Sequence, residues 1–313
     1  MIHWHMKQVP LKFQLSDLTL FSIELPLCVR SIAINENIPP VDLPQPPAEA
    51  PEAGSEGFLV RGIAVSAPVP KIHRAGRYLC YVFATYFHSY IDLGTSFDAY
   101  KAKFSAKSRS TLLRKIRKYS DHCDGELKWR TYRTPDELVE FFILARAVSS
   151  KTYQERLLDA GLPDAESFRQ DTLRRAADGL VRAYILFHKN TPVSYLFCPV
   201  ENGVLLYQYL GYDPEYITYS VGTILQWLAI EQLFEEALFE CFDFTEGQSE
   251  HKRFFATHQS LRVNAMFIRR NVRNVLLVRA HSAFSSFSSA LGRALDKFGL
   301  RARIRRVIRF GRT

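Results

Sequence analysis

Several signatures are missing from this 313-residue chain, and each absence excludes something. No run of about 18 uncharged apolar residues occurs, which is the length a transmembrane helix needs. The opening stretch, MIHWHMKQVPLKF, has no apolar core and does not read as a secretory signal. The five cysteines (Cys28, Cys80, Cys123, Cys198, Cys241) are scattered; none forms Cys-x-x-Cys, and no Cys/His group has zinc spacing. Neither a disulfide framework nor a metal site is expected, and a reduced cytoplasm is the simplest setting. Three of the five sit inside apolar runs and read as small core residues. There is no P-loop, no dinucleotide-binding fingerprint, no Gly-x-Ser-x-Gly elbow and no metal-ligand pair on a helix.

What is present is ordinary in bulk and uneven in detail. Hydrophobic residues make up 47% and charged residues 23%, as in a globular protein of one large or two small domains. Charge of one sign is nearly absent from two segments. Residues 100–119 hold eight basic side chains and no acid, and residues 292–313 hold eight with one acid, Asp296. The net charge is +9, so the rest of the chain is net acidic. A basic segment points to an anionic partner such as a nucleotide, a phosphorylated cofactor, nucleic acid or an anionic membrane face.

Residues 36–57 contain six prolines and almost no large apolar side chain, and read as a mobile loop. Residues 58–66 and 78–93 are rich in aromatic and β-branched residues and predict strands. Helices are predicted at 97–104, capped by Thr95 or Ser96, and at 108–119, with Leu112, Leu113, Ile116 and Tyr119 on one face. Thr134-Pro135-Asp136-Glu137 carries the signature of a helix start. A further helix is predicted over 165–178. Residues 181–188, 193–200 and 204–212 predict an antiparallel meander, followed by a loop, an amphipathic helix over 222–238 and a strand over 240–244. This is a mixed α/β (α+β) pattern, with parallel strands at 204–212 and 240–244. The tail, 275–310, is predicted largely helical.

Three features bear chemistry. Ser220-Val221-Gly222-Thr223 opens a helix with small residues: either an anion site built from free N–H groups, or a plain cap by Ser220 with Gly222 for close packing. Asp243 to Lys252 gathers polar residues past the end of a short strand, where ligand sites of α/β proteins lie; alternatively Ser249 starts a helix and the charges are solvated surface. Tyr207 and Tyr209 alternate onto one strand face, as general acid or as core. Gly211 hints at a bulge that opens a wedge. The basic helix at 108–118 is an anion-binding face or a solvated one. The C-terminal arginines interleave with apolar residues, as in a surface helix near anionic lipid or nucleic acid.

In combination, the meander, GYDPEY…YSVGTILQWLAIEQL and FDFTEGQSEHKRFFA resemble the FemAB-like, CelD-type branch of the GNAT acyltransferase superfamily. SFDAYKAKFSAKSRSTLLRKIRKYSD is similar to that branch's entry helices. The resemblance covers about residues 96–270, leaving a basic helical tail at 271–313 and a strand-rich region at 1–95 that reads as a reduced second GNAT-like half. It implies a GNAT-like sheet splayed between the two parallel strands, with an acyl-CoA, acetyl-CoA foremost, as co-substrate and no metal. Its pyrophosphate would lie on Ser220, Val221, Gly222 and Thr223, with Tyr207 and Leu210 beside it. An amine on a cell-envelope or exopolysaccharide precursor would attack the thioester directly. His251 and Glu246 would handle protons, with Asp243 and Tyr209 in the catalytic wedge. Lys252, Arg109 and Tyr212 would contact the acceptor. The branch's usual Tyr-Lys is His251-Lys252 here: either an imidazole takes over the tyrosine's part or activity is weakened. Two other readings stand beside this one. The first is a FemX-like transferase using aminoacyl-tRNA, suggested by the basic 101–118 helix. The second is a catalytically degenerate scaffold in polysaccharide assembly, docked on the inner face of an anionic membrane through 293–313.

Overall fold

The computed structural model describes residues 4–297 apart from 16–17, 37, 153–160 and 248. The arginines from Arg301 onward, on which the membrane-docking expectation rests, lie outside the described residues. The chain divides into two compact units, residues 1–86 with 261–313 and residues 87–260. No helix among the described residues is long and apolar enough to cross a membrane.

The first unit is built on strands. β1 (His5–Leu15) and β2 (Leu18–Ser31) form an antiparallel hairpin, and β3 (Gly57–Ala64) runs parallel to β2. β4 (Ile72–Ala75) pairs with the start of β5 (Tyr78–Asp92), and β3 pairs antiparallel with β12 (His258–Arg269). Period-two alternation buries both sheet faces. Phe58, Val60, Cys80 and Phe267 enter one core, while Leu59, Tyr81, Met266 and Val278 enter the other. Val278 belongs to the last helix, Val272–Lys297. Up to the start of β3 at Gly57, the described residues of the proline-rich 36–57 stretch form no strand or helix of their own. It is hydrogen-bonded to the unit, with Val41 N–H on Ala64 O at 3.0 Å and Ser55 Oγ on Gly57 O at 2.7 Å.

The second unit is the mixed α/β assembly the pattern predicts. The end of β5 pairs antiparallel with β11 (Cys241–Asp243), which pairs parallel with β9 (Val204–Leu206). β8 (Thr191–Glu201), β7 (Val181–His188) and β6 (Trp129–Tyr132) continue antiparallel. Alternation along β7 and β8 sends Tyr184, Leu186, Leu196 and Cys198 to one core and Ala183, Ile185, Tyr195 and Phe197 to the other. The first core is covered by α1 (Phe97–Ala102), α2 (Ala106–His122) and α5 (Val221–Glu236). The second is covered by α3 (Pro135–Ser149) and α4 (Glu166–Ala177). All five cysteines are free and buried.

Three local expectations need correction. The predicted amphipathic helix, α5, buries eleven of its sixteen residues, so it is a central helix. Leu113 does not join the apolar face of α2; it is 47% exposed while Leu112 and Tyr119 are buried. The predicted single strand over 204–212 is two strands. β9 ends at Leu206, and β10 (Tyr209–Tyr212) pairs with β8 alone among the described strands. Between them Tyr207 N–H turns to Asp243 O at 2.8 Å while Gln208 N–H turns to Phe197 O at 3.3 Å. The strand therefore parts from β11 at Tyr207–Gln208. Gly211 is not the cause: it pairs in regular register with Tyr195, and a Cβ there would fall 2.3 Å from that ring.

Candidate active site

The break in the strand opens a cleft of about 310 Å³ lined by Tyr207, Leu210, Tyr212, Ile217, Ser220, Val221, Gly222, Thr223 and His251. One wall is the start of α5. Pro214–Tyr219 forms a short 3-10 helix capped by Asp213, whose Oδ1 accepts from Glu215 N–H at 3.1 Å. Ser220 joins this turn to α5 with φ +58°, ψ +40°, a left-handed conformation that costs a non-glycine residue on the order of 1–2 kcal/mol. The surroundings hold it there. Buried Asp213 pairs with Lys151 at 2.7 Å, Tyr216 Oη bonds His188 Nδ1 at 2.7 Å, and the Tyr219 ring stacks on His122 with centroids 4.3 Å apart. Asp213 in turn raises the Lys151 pKa through that hydrogen bond.

This geometry bears on the cap expected of Ser220 at the Ser-Val-Gly-Thr start. In its left-handed conformation Ser220 offers no side-chain cap to α5. The first intrahelical donor is Ile224 N–H, on Ser220 O at 3.1 Å. The N–H groups of Val221, Gly222 and Thr223 therefore precede the helix ladder, and the three residues line the cleft at the end of the helix where its dipole favours an anion. Close packing holds as well. A Cβ on Gly222 would come within 3.1 Å of Leu210 Cδ2 and 3.3 Å of Tyr212 Cδ1.

His251 lies on α6 (Glu250–Phe255), capped by Ser249 through Lys252 N–H at 3.1 Å. Its Nε2 lies 2.6 Å from Gln226 Oε1. Burial, then the charge of Lys115 on α2, lowers its pKa, so the ring is neutral near pH 7. The far end of α6 is held by Lys103, whose ammonium donates to Phe254 O at 2.8 Å and Ala256 O at 2.6 Å; burial pushes its pKa down to about 8. Burial raises the Tyr207 pKa, so its phenol stays protonated.

Tyr209, Arg109, Glu246, Asp243 and Lys252 are not among the residues that line this cleft. Tyr207 and Tyr209 do not share a face, because the break rotates the chain between them. Tyr207 packs on Phe242 and Phe244, whereas Tyr209 packs on Phe168 and Phe197 in the opposite core. Arg109 borders a separate small apolar cavity with Leu112 and Trp227. Glu246 is exposed, and its carbonyl receives Lys252 Nζ at 2.8 Å. Burial lowers the Lys252 pKa, against the raising effect of Asp243 and Glu246. Asp243 is buried, accepts Thr245 N–H at 2.7 Å, and lies 2.5 Å from His88 Nε2. His88, Gln226 and the supporting role of Asp213 are not among the residues expected from the sequence. Gln226 had a visible signal, an amide inside the apolar run ILQWLAI; His88 had none.

Residues 106–253 match the family model described as an acetyltransferase (GNAT) domain, just under half of the chain. The fold is GNAT-like. No curated protein sequence matches the chain. Similar solved structures include FemX, at 11% identity and TM-score 0.49, covering 88% of this chain and 90% of that one. Another is the C-terminal domain (DUF2156) of a putative lysylphosphatidylglycerol synthetase from Agrobacterium fabrum, at 12% and 0.48, covering 74% and 73%. A third is L-PGS from Bacillus licheniformis, at 13% and 0.44, covering 71% of each chain.

Proposed function

We propose that the chain is an acyltransferase that takes its acyl group from an acyl-CoA, acetyl-CoA foremost, and passes it to an amine. The observation that carries this reading is the start of α5, which has no side-chain cap and whose first three residues line a cleft beside a parting strand. The residues fit the co-substrate. Val221, Gly222 and Thr223 would hold a pyrophosphate through backbone N–H, without a cationic side chain. The edge of β10 that pairs with no other described strand would offer backbone groups to the amides of a pantetheine arm.

The chemistry needs a base for the attacking amine and an acid for the leaving thiolate. As the C–N bond forms and the C–S bond breaks, neutral His251 takes the amine proton. Tyr207, kept protonated by burial, supplies one to the sulfur. In this assignment Tyr207 stands where Tyr209 was expected. The acceptor is an amine on a cell-envelope or exopolysaccharide precursor.

Calorimetric titration with acetyl-CoA tests the reading. Saturable binding is expected, and none at millimolar ligand overturns it. The competing aminoacyl-tRNA reading draws on the exposed Arg109, Arg114, Arg117 and Lys118 of α2. Binding of charged tRNA that weakens steeply with salt, together with indifference to acyl-CoA, would favour it.

A further inference from the structure

We infer that Gln226 is the positioning residue of the cleft histidine: a buried amide that fixes His251 as the neutral, Nε2-protonated tautomer. The inference rests on the proposed role of His251 as a base.

Gln226 is conspicuous in its surroundings. The other buried residues of α5 are apolar, among them Ile224, Leu225, Trp227 and Ile230, and Gln226 is buried as completely as they are, at 0% exposure. Burying an amide is costly unless both of its ends find partners. Here only one does. Oε1 meets His251 Nε2 at 2.6 Å, while Nε2 has no hydrogen-bond partner among the described residues. Leucine or methionine would fill the same space without that penalty, so packing does not account for the amide. The bond to His251 does.

The bond has a chemical consequence. An amide oxygen only accepts, so the ring nitrogen facing it carries the hydrogen and Nδ1 keeps its lone pair. A carboxylate in the same place would also accept, but it would favour the imidazolium and cost the ring its ability to take a proton near neutrality. The second unit also holds a histidine beside a carboxylate, His88 at Asp243. At His251 the partner is uncharged, and burial with Lys115 keeps the ring neutral. The ring is further held by Phe255, with centroids 5.0 Å apart. An uncharged acceptor thus sets the tautomer without changing the charge.

The test is nitrogen-15 NMR of the His251 ring in the full-length protein, which reads the tautomer whether or not any acyl transfer takes place. The wild-type protein should show a protonated Nε2 and a bare Nδ1 at pH 7. Gln226→Met should give a mixture of tautomers and lower kcat by about tenfold to a hundredfold, with KM for acyl-CoA unchanged. Gln226→Glu should move the His251 titration up by about one to two pH units. A hydrogen on Nδ1 in the wild-type protein overturns the inference, as does a tautomer indifferent to Gln226→Met. The wild-type spectrum decides even if a variant fails to fold. A correct tautomer in a protein that does not bind acyl-CoA would sink the acyltransferase reading and leave this one standing.

Discussion

Two helix starts in the second unit differ in how they are capped. At α3, Thr134 Oγ1 accepts Glu137 N–H at 3.3 Å, and the Glu137 carboxylate accepts Thr134 N–H at 3.1 Å and Arg133 N–H at 2.7 Å. Those backbone donors hold the Glu137 pKa low, and the helix is closed by its own side chains. At α5 the corresponding positions are Ser220 and Thr223. Ser220 is turned left-handed by the loop before it, and no acid follows three residues later. A capping box stabilises a helix; in the proposed function the uncapped start on a cleft is kept for an anion from outside. The difference lies in one backbone conformation and one side chain.

The comparison can be broken at several points. Gly222→Val should have the largest effect, because the added atoms meet Leu210 and Tyr212 and also cover the backbone N–H groups. Stability should fall by about 1–3 kcal/mol in urea unfolding, and CoA binding should disappear from calorimetry. Asp213→Ala removes the turn's cap and leaves Lys151 unpaired. It should lose about 1–2 kcal/mol of stability, with CoA affinity falling alongside. Thr134→Ala opens the closed start. It should destabilise by about 1 kcal/mol in thermal unfolding and leave CoA affinity unchanged.

The smallest effect is on pH dependence. The His251 pKa is lower folded than unfolded, so below pH about 6.5 the unfolded chain binds the extra proton. Its contribution is complete above the unfolded value and is lost as pH falls towards the folded one. Urea midpoints of the wild-type protein should therefore drop more between pH 7.5 and 5 than those of His251→Gln.

Much of the second unit was legible because its signals are local. The meander alternates with period two, Thr134 and Glu137 stand at cap spacing, and Ser220-Val221-Gly222-Thr223 is a compact helix start. What was not legible depends on partners distant in the chain. The strand parts at Tyr207–Gln208 because Asp243 O and Phe197 O draw consecutive N–H groups to opposite sides. Alternation alone places Tyr207 and Tyr209 on one face and does not show that break. Gly211 looked like a bulge but makes room for the ring of Tyr195, on the neighbouring strand. The left-handed turn at Ser220 follows from loop contacts to Lys151, His188 and His122, none of them nearby in sequence.

The central claim is that the open start of α5 binds the anionic part of an acyl-CoA, and Thr223→Glu tests it most directly. The substitution writes Ser-x-x-Glu, the capping-box pattern of α3, into α5 and sets a carboxylate at the N–H groups. Titration of CoA into the wild-type and variant proteins should show affinity falling by about tenfold or more, with the melting temperature unchanged or raised. Equal affinity for CoA in the two proteins would contradict the account.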